Sequence, residues 1–231
     1  TMAAALAAFY RKIPVGHIAT VVRSQESYYP FPEEMNRRLV TRLASIHFAA
    51  TEHNRCTLRD EGVPDDDIIV TGNPVVDAVH RVLDRPPVDP MLEQLLALTE
   101  GTRRILLTTH RRENLGDTMA GYLQVLRDFI DQHLDSSLIF PVHPNPSVRS
   151  ASRILQGHPR IHLAEPLGYE CFIHLMARSW LVASDSGGVQ EEAPSVGTPL
   201  IVLRDSTERP EAVESGVARL VGGGPSRLAA M

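Results

Sequence analysis

Apolar residues fall along this chain in short clusters, with polar residues gathered between them. The opening TMAAALAAFYRK is dense in alanine with Arg11 and Lys12 at its far end, which predicts a helix stopped by Pro14. Residues 13–18 then read as a short buried strand. A loop rich in serine and tyrosine follows, closed by YPFPEE. Pro32 with Glu33 and Glu34 opens a helix through NRRLVTRLAS, acids in its first turn. IHFAAT reads as a strand, NRCTLRDEGV as an amphipathic helix ending at Gly62, and DDIIVTGNP as a strand running into a loop. The proline-rich stretch DRPPVDP, residues 84–90, predicts a domain boundary. It gives a first domain over 1–83, a linker over 84–100 and a second domain over 101–231.

In the second half the alternation sharpens. RRILLTTHR, SLIFPVHPN, IHLAEP, WLVASDSGG and TPLIVLRD read as short apolar strands, most of them running into polar loops. Residues 119–133, VRSASRILQG and YECFIHLMARS read as the helices between them, and a short helix ends at Gly197. Strand then helix throughout predicts an α/β protein with a parallel sheet covered on both faces. In such sheets ligands bind at the carboxyl ends of the strands. Polar clusters sit there five times over: GH, THRREN, HPNP, SDSGG and RDSTERPE.

Composition narrows the classes. Hydrophobic residues make up 43% and charged residues 22%, enough for a globular core. Basic residues number 23 against 28 acidic, a net charge of −5, which argues against a nucleic-acid partner. No apolar run reaches membrane-spanning length, and the alanine-rich start lacks a basic flank and a secretory cleavage pattern. Cys56 and Cys171 form no CxxC pair, so no zinc site is expected; two reduced, partly buried thiols in a cytoplasmic protein is the plain reading.

The loops carry candidate chemistry. In SDSGGVQEEAPSVG, Gly187 and Gly188 let a ligand approach the backbone, and the helix that follows offers free N–H groups to a diphosphate. One or both of Glu191 and Glu192 can turn back to hold ribose hydroxyls. The plain alternative is an ordinary strand-to-helix turn with Ser186 as cap. In THRREN, His110 stands beside Arg111 and Arg112, whose charges disfavour a charged imidazole; the alternative is a loop histidine with arginines paired to surface acids. Pro144 and Pro146 stiffen the loop that carries His143, which suits ligand contact better than packing. Arg204, Asp205, Glu208, Arg209 and Glu211 crowd another loop, as an ion-paired cluster or a sugar and phosphate clamp. Glu33 and Glu34 are either helix-start acids or carboxylates presented to the second domain.

Taken together, YPFPEEMNR, TGNPVVDAV, THRREN, FPVHPNPSVR, SDSGGVQEEAPSVGTP and RDSTERPEAVESG resemble the signature segments of UDP-N-acetylglucosamine 2-epimerases over nearly the whole chain. THRREN resembles the non-hydrolysing bacterial branch. The resemblance implies two Rossmann-like domains facing a cleft, as in glycosyltransferases of the B type. It implies reversible conversion of UDP-GlcNAc to UDP-ManNAc by loss and recapture of UDP through a 2-acetamidoglucal, with neither nicotinamide nor metal and no other cofactor. It further implies a cytoplasmic homodimer that feeds cell-surface polysaccharide.

Carried over by residue, Glu33 becomes an acid/base candidate and His110 lies by the diphosphate with Arg111. His143, Ser186, Gly187 and Gly188 contact UDP, Glu192 holds the ribose, and Arg209 lies near the nucleotide sugar. The family pattern extends beyond both ends of these residues, so the expectation is a truncated chain with an incomplete first domain. Where the family has a glutamate after Gly16-His17, this chain has Ala19, which cannot move a proton. Two other readings stay open: a nucleotide-sugar binding module without turnover, which Ala19 favours, and a retaining glycosyltransferase of the same architecture, which THRREN disfavours.

Overall fold

Strands pair only in parallel among the described residues, which in the computed structural model are 1–18, 31–85, 87, 89–207 and 209–231. Ala19 and Glu208 lie outside them. The chain divides into two compact units, Thr1–Pro74 and Val75–Met231.

The first unit runs α1 (Met2–Tyr10), β1 (Gly16–Ile18), α2 (Glu33–Leu43), β2 (Ile46–Ala49), α3 (Glu52–Asp60) and β3 (Ile68–Val70). Its sheet has the order β1-β2-β3. Thr51 caps α3 by accepting from Asn54 N at 3.1 Å, and Gly62 follows the helix at φ 83°, a left-handed conformation open to glycine. Among the described residues its core cluster is Ala49, Leu58, Val63 and Ile68. The predicted buried strand over 13–18 shrinks to β1, whose Ile18 is 66% exposed. Gly16 and His17 belong to that strand and do not follow it. His17 lies opposite His47 on β2, the rings edge to face at 6.0 Å.

The second unit begins with α4 (Pro74–Leu83), α5 (Pro90–Leu98), β4 (Arg103–Thr108), α6 (Asp117–Gln132), β5 (Ser136–Pro141), α7 (Pro146–Ala151) and β6 (Ile161–Ala164). It continues with α8 (Tyr169–Ala177), β7 (Leu181–Ser184), α9 (Val189–Ser195), β8 (Leu200–Val202), α10 (Pro210–Glu214), β9 (Ala218–Leu220) and α11 (Pro225–Ala229). Alternation along the strands builds two cores. Ile105 and Leu107 of β4 face a cluster with Tyr122 and Leu126 of α6. Leu106, between them, joins a cluster with Val79, Leu92, Cys171 and Val189 on the other side.

The unit boundary falls before the expected one. Residues 84–100, read as a linker, contain α5, whose Leu92 and Leu95 are 0% and 3% exposed within the second unit's core. Of the two cysteines, Cys56 is exposed and Cys171 buried, its thiol pushed up to about 11 by burial and then by Asp89. No helix among the described residues is long and apolar enough to cross a membrane.

The six-stranded sheet has the order β6-β5-β4-β7-β8-β9. The chain builds outward from β4 to one edge, then returns beside β4 with β7 and builds to the other. Between β4 and β7 the direction of winding reverses, which is the place where open parallel sheets hold their ligands. THRREN leaves β4 and SDSGG leaves β7, so the two most polar motifs meet there.

Candidate functional site

Asp185 ties the loops after β4 and β7 together. Its carboxylate, 0% exposed, accepts from Thr109 Oγ1 at 2.7 Å, Arg111 N at 2.9 Å, Asn114 Nδ2 at 2.9 Å and His110 N at 3.1 Å. A buried carboxylate is tolerated when several donors converge on it, as they do here. Asn114 also donates to Leu203 O at 2.9 Å, which links the β4 loop to the end of β8. Buried Arg204 donates to Glu113 Oε1 at 2.9 Å. The loop after β4 is therefore held at both ends by groups from neighbouring strands.

The imidazole of His110 faces Asp185 at 3.7 Å and stacks on His143, ring centroids 5.2 Å apart and planes 17° apart. His143 is exposed, and its Nδ1 accepts from Asn145 N at 3.2 Å. Asn145 in turn caps α7 by accepting from Ser147 N at 2.9 Å, so the His-Pro-Asn-Pro turn is fixed by its own polar groups as well as its prolines.

Two guanidinium groups close on Gly187. A Cβ there would lie 3.1 Å from Arg209 Nη1 and 3.3 Å from Arg111 Nη2. Arg209 is already paired with Glu191, and an anion at this glycine would meet the guanidinium ends of both arginines. Ser186 N donates to Ser184 Oγ at 3.0 Å, and Gly188 stands exposed at the start of α9. The two glutamates of α9 part company: Glu191 accepts from Arg209 Nε at 2.6 Å, while the Glu192 carboxyl lies under the influence of the Tyr169 hydroxyl. Burial raises the Glu192 carboxyl above its ordinary value, the Tyr169 hydroxyl draws it back, and Glu191 raises it again. Burial and Glu192 both raise the Tyr169 phenol.

Of the residues named from sequence, His110, Arg111, His143, Ser186, Gly187, Gly188, Glu192 and Arg209 all belong to the second unit, on the loops after β4, β5, β7 and β8 or on α9. Glu33 belongs to the first unit, exposed at the first turn of α2. Its neighbour Glu34 is fully buried and held by Arg37 and Arg38, each at 2.9 Å. Sequence reasoning missed Asp185, Asn114 and Tyr169. The signal for Asp185 was present: an acid directly after a buried strand and before a glycine pair needs donors of its own.

The family model for UDP-N-acetylglucosamine 2-epimerase matches residues 1–231. The chain belongs to this family. A probable UDP-N-acetylglucosamine 2-epimerase from Ralstonia solanacearum is 47% identical over 228 residues, 96% of this chain and 61% of the relative. A UDP-GlcNAc 2-epimerase from Neisseria meningitidis bound to UDP-GlcNAc superimposes with a TM-score of 0.90 at 42% identity, over 100% of this chain and 63% of that one. An S. aureus MnaA–UDP co-structure gives a TM-score of 0.92 at 39% identity, over 100% and 62%. The chain thus spans about three fifths of the length of the relatives it matches. Four of the segments quoted from the sequence, THRREN, FPVHPNPSVR, SDSGGVQEEAPSVGTP and RDSTERPEAVESG, carry the loops that Asp185, the stacked histidines and the arginine pair bring together.

Proposed function

We propose that the loops at the carboxyl ends of β4 and β7 bind the UDP portion of UDP-GlcNAc, and that the whole protein interconverts UDP-GlcNAc and UDP-ManNAc. The observation that carries this is the meeting of Arg111 and Arg209 at Gly187, beside two stacked histidines at the point where the winding reverses. The arginines suit a diphosphate, which has charge to spread over two guanidinium forks. Glu192, left free of Arg209 by Glu191, suits the ribose hydroxyls as an acceptor. Ser186, Gly187 and Gly188 let the phosphates approach the backbone.

In the proposed reaction the C2–H bond breaks and its proton passes to a base. The C1–O bond breaks, UDP leaves with that electron pair, and C1=C2 forms. UDP then adds back at C1 while a proton reaches C2 from the other face. His110 and Glu33 are the groups proposed to hold protons, and the arginines stabilise the leaving diphosphate. Product of this kind feeds cell-surface polysaccharide, and the proposed setting is a cytoplasmic homodimer. A second reading, a binding module without turnover, is favoured by Ala19.

Incubation of the chain with UDP-GlcNAc in deuterated water tests both. Deuterium at C2 with UDP-ManNAc appearing supports the epimerase. An unchanged sugar with UDP binding intact by calorimetry supports the binding module. Absence of both exchange and binding in a folded sample overturns the site itself.

A further inference from the structure

Arg209 is held at two points by two neighbouring residues of α9. Its Nε donates to Glu191 Oε1 at 2.6 Å, in an ion pair whose side chains are 20% and 19% exposed. Its backbone N donates to Thr207 Oγ1 at 3.1 Å, and that hydroxyl donates in turn to Gln190 Oε1. Gln190 is buried, and its Nε2 donates to Ser186 O at 3.3 Å. The loop after β8 is thus tied by main chain and side chain to the first turn of the helix that follows Gly187 and Gly188. The Arg209 nitrogen nearest Gly187 is Nη1, 3.1 Å from where a Cβ would stand. Nε and Nη1 belong to different edges of the planar guanidinium, so the bond to Glu191 fixes the plane while another edge meets the glycine.

A long arginine side chain loses rotamer freedom when it settles on a ligand, and one already fixed by a carboxylate loses less. Glu191 also brings a negative charge close to the guanidinium, which by itself opposes an anion there. The two effects have opposite signs, so variants of Glu191 separate them. We infer that Glu191 is a positioning residue, which acts on a bound diphosphate only through Arg209. The plain alternative is an acid at a helix start, which stabilises α9 and is indifferent to Arg209. The aiming of Arg209 stands on the geometry; its consequence for a diphosphate rests on the nucleotide-sugar reading above.

Proton–nitrogen NMR of the isotope-labelled chain reads the Arg209 Nε–H signal, identified by its loss in Arg209→Lys. A bonded acceptor slows exchange of this proton with water, so a sharp signal is expected in the parent and in Glu191→Gln, whose amide oxygen still accepts. Glu191→Ala and Glu191→Asp, the second one methylene too short, are expected to lose it. Calorimetry with UDP then compares the variants. Glu191→Gln removes the opposing charge and keeps the aim, so it is expected to bind UDP at least as tightly as the parent. Glu191→Ala removes both, and is expected to bind about three- to tenfold more weakly than Glu191→Gln. In an Arg209→Ala background the two substitutions are expected to bind alike, because the residue that Glu191 acts through is gone. A gap that persists in that background overturns the inference. So does Glu191→Ala binding as tightly as Glu191→Gln, or an Nε–H signal absent from the parent or unchanged in Glu191→Ala. If Glu191→Ala does not fold, Glu191→Asp, which keeps the charge, takes its place with the parent as reference. NMR signals as expected in a chain that binds no UDP would keep Arg209 aimed by Glu191 and sink the nucleotide reading.

Discussion

Gly187 has no side chain where two guanidinium groups need the room. A methyl group there would press on Arg209 Nη1 at 3.1 Å and Arg111 Nη2 at 3.3 Å. Both contacts are the far ends of flexible side chains, so Gly187→Ala is expected to fold normally and to displace the arginines by a few tenths of an ångström. The loss should appear in ligand affinity: UDP is expected to bind about tenfold more weakly, roughly 1.4 kcal/mol, by calorimetry. Unchanged affinity would mean that the arginines do not meet the diphosphate at this glycine. Glu192 illustrates the opposite trade. Its carboxyl is raised chiefly by burial, so the native state holds that proton more firmly than the unfolded chain. No contribution arises below the unfolded carboxylate value. As pH climbs from there through the raised native value, the buried charge increasingly destabilises the fold. Glu192→Gln removes that charge and is expected to raise the melting temperature at about pH 7.5, with the gain fading towards about pH 4. The same variant should bind UDP less well, because the acceptor proposed for the ribose is altered. A variant less stable than the parent at neutral pH would show that the favourable influence of the Tyr169 hydroxyl on the carboxylate outweighs burial.

The element most misjudged from sequence is α5. Pro86, Pro87 and Pro90 within a few positions read as a break, and a break reads as a linker. Yet Pro90 occupies the first turn of a helix, where a missing N–H costs nothing, and Asp89 caps it by accepting from Met91 N at 2.8 Å. The prolines mark the start of an element, and its apolar face is what binds it to the second unit. Leu92→Ala is therefore expected to destabilise that unit by about 2–5 kcal/mol, as a fully buried leucine should, in denaturant unfolding followed by near-ultraviolet signals. A loss well under 1 kcal/mol would return the segment to the status of a linker. Five of the six strands of the second sheet were legible otherwise, as short apolar runs, most of them running into polar loops; β9 was not among those read. β1 was not legible, because Ile13 to Ile18 looks apolar in sequence while a three-residue strand leaves Ile18 exposed. At the site, residues with distinctive chemistry in loops, such as His110, Arg111 and His143, could be picked out from spacing. Asn114 and Tyr169 could not, because their partners lie many residues away and only the fold supplies them; Asp185 left its signal in the sequence, but its donors too come from the fold.

At the scale of the molecule, core and chemistry are unevenly shared. Each core cluster lies within one unit: among the described residues the first holds Ala49, Leu58, Val63 and Ile68, and the second holds two extensive clusters on opposite faces of its sheet. The second unit thus sets more described apolar burial against chain entropy, and the first is expected to open first under denaturant. Unfolding of the chain is accordingly expected in two steps, followed by circular dichroism for both units and by Trp180, which lies in the second, for the later step. UDP then discriminates between the units. The arginine pair, the stacked histidines and Glu192 all belong to the second, so a ligand held by them stabilises only that one. At a free concentration of about 100 times the dissociation constant, the later step should gain about 2.7 kcal/mol while the earlier one stays in place. A shift of the early step, or a single transition that moves as a whole, would mean that the first unit shares in holding UDP. Glu33 would then become the first residue to test, since it is the one site residue expected on that side of the division.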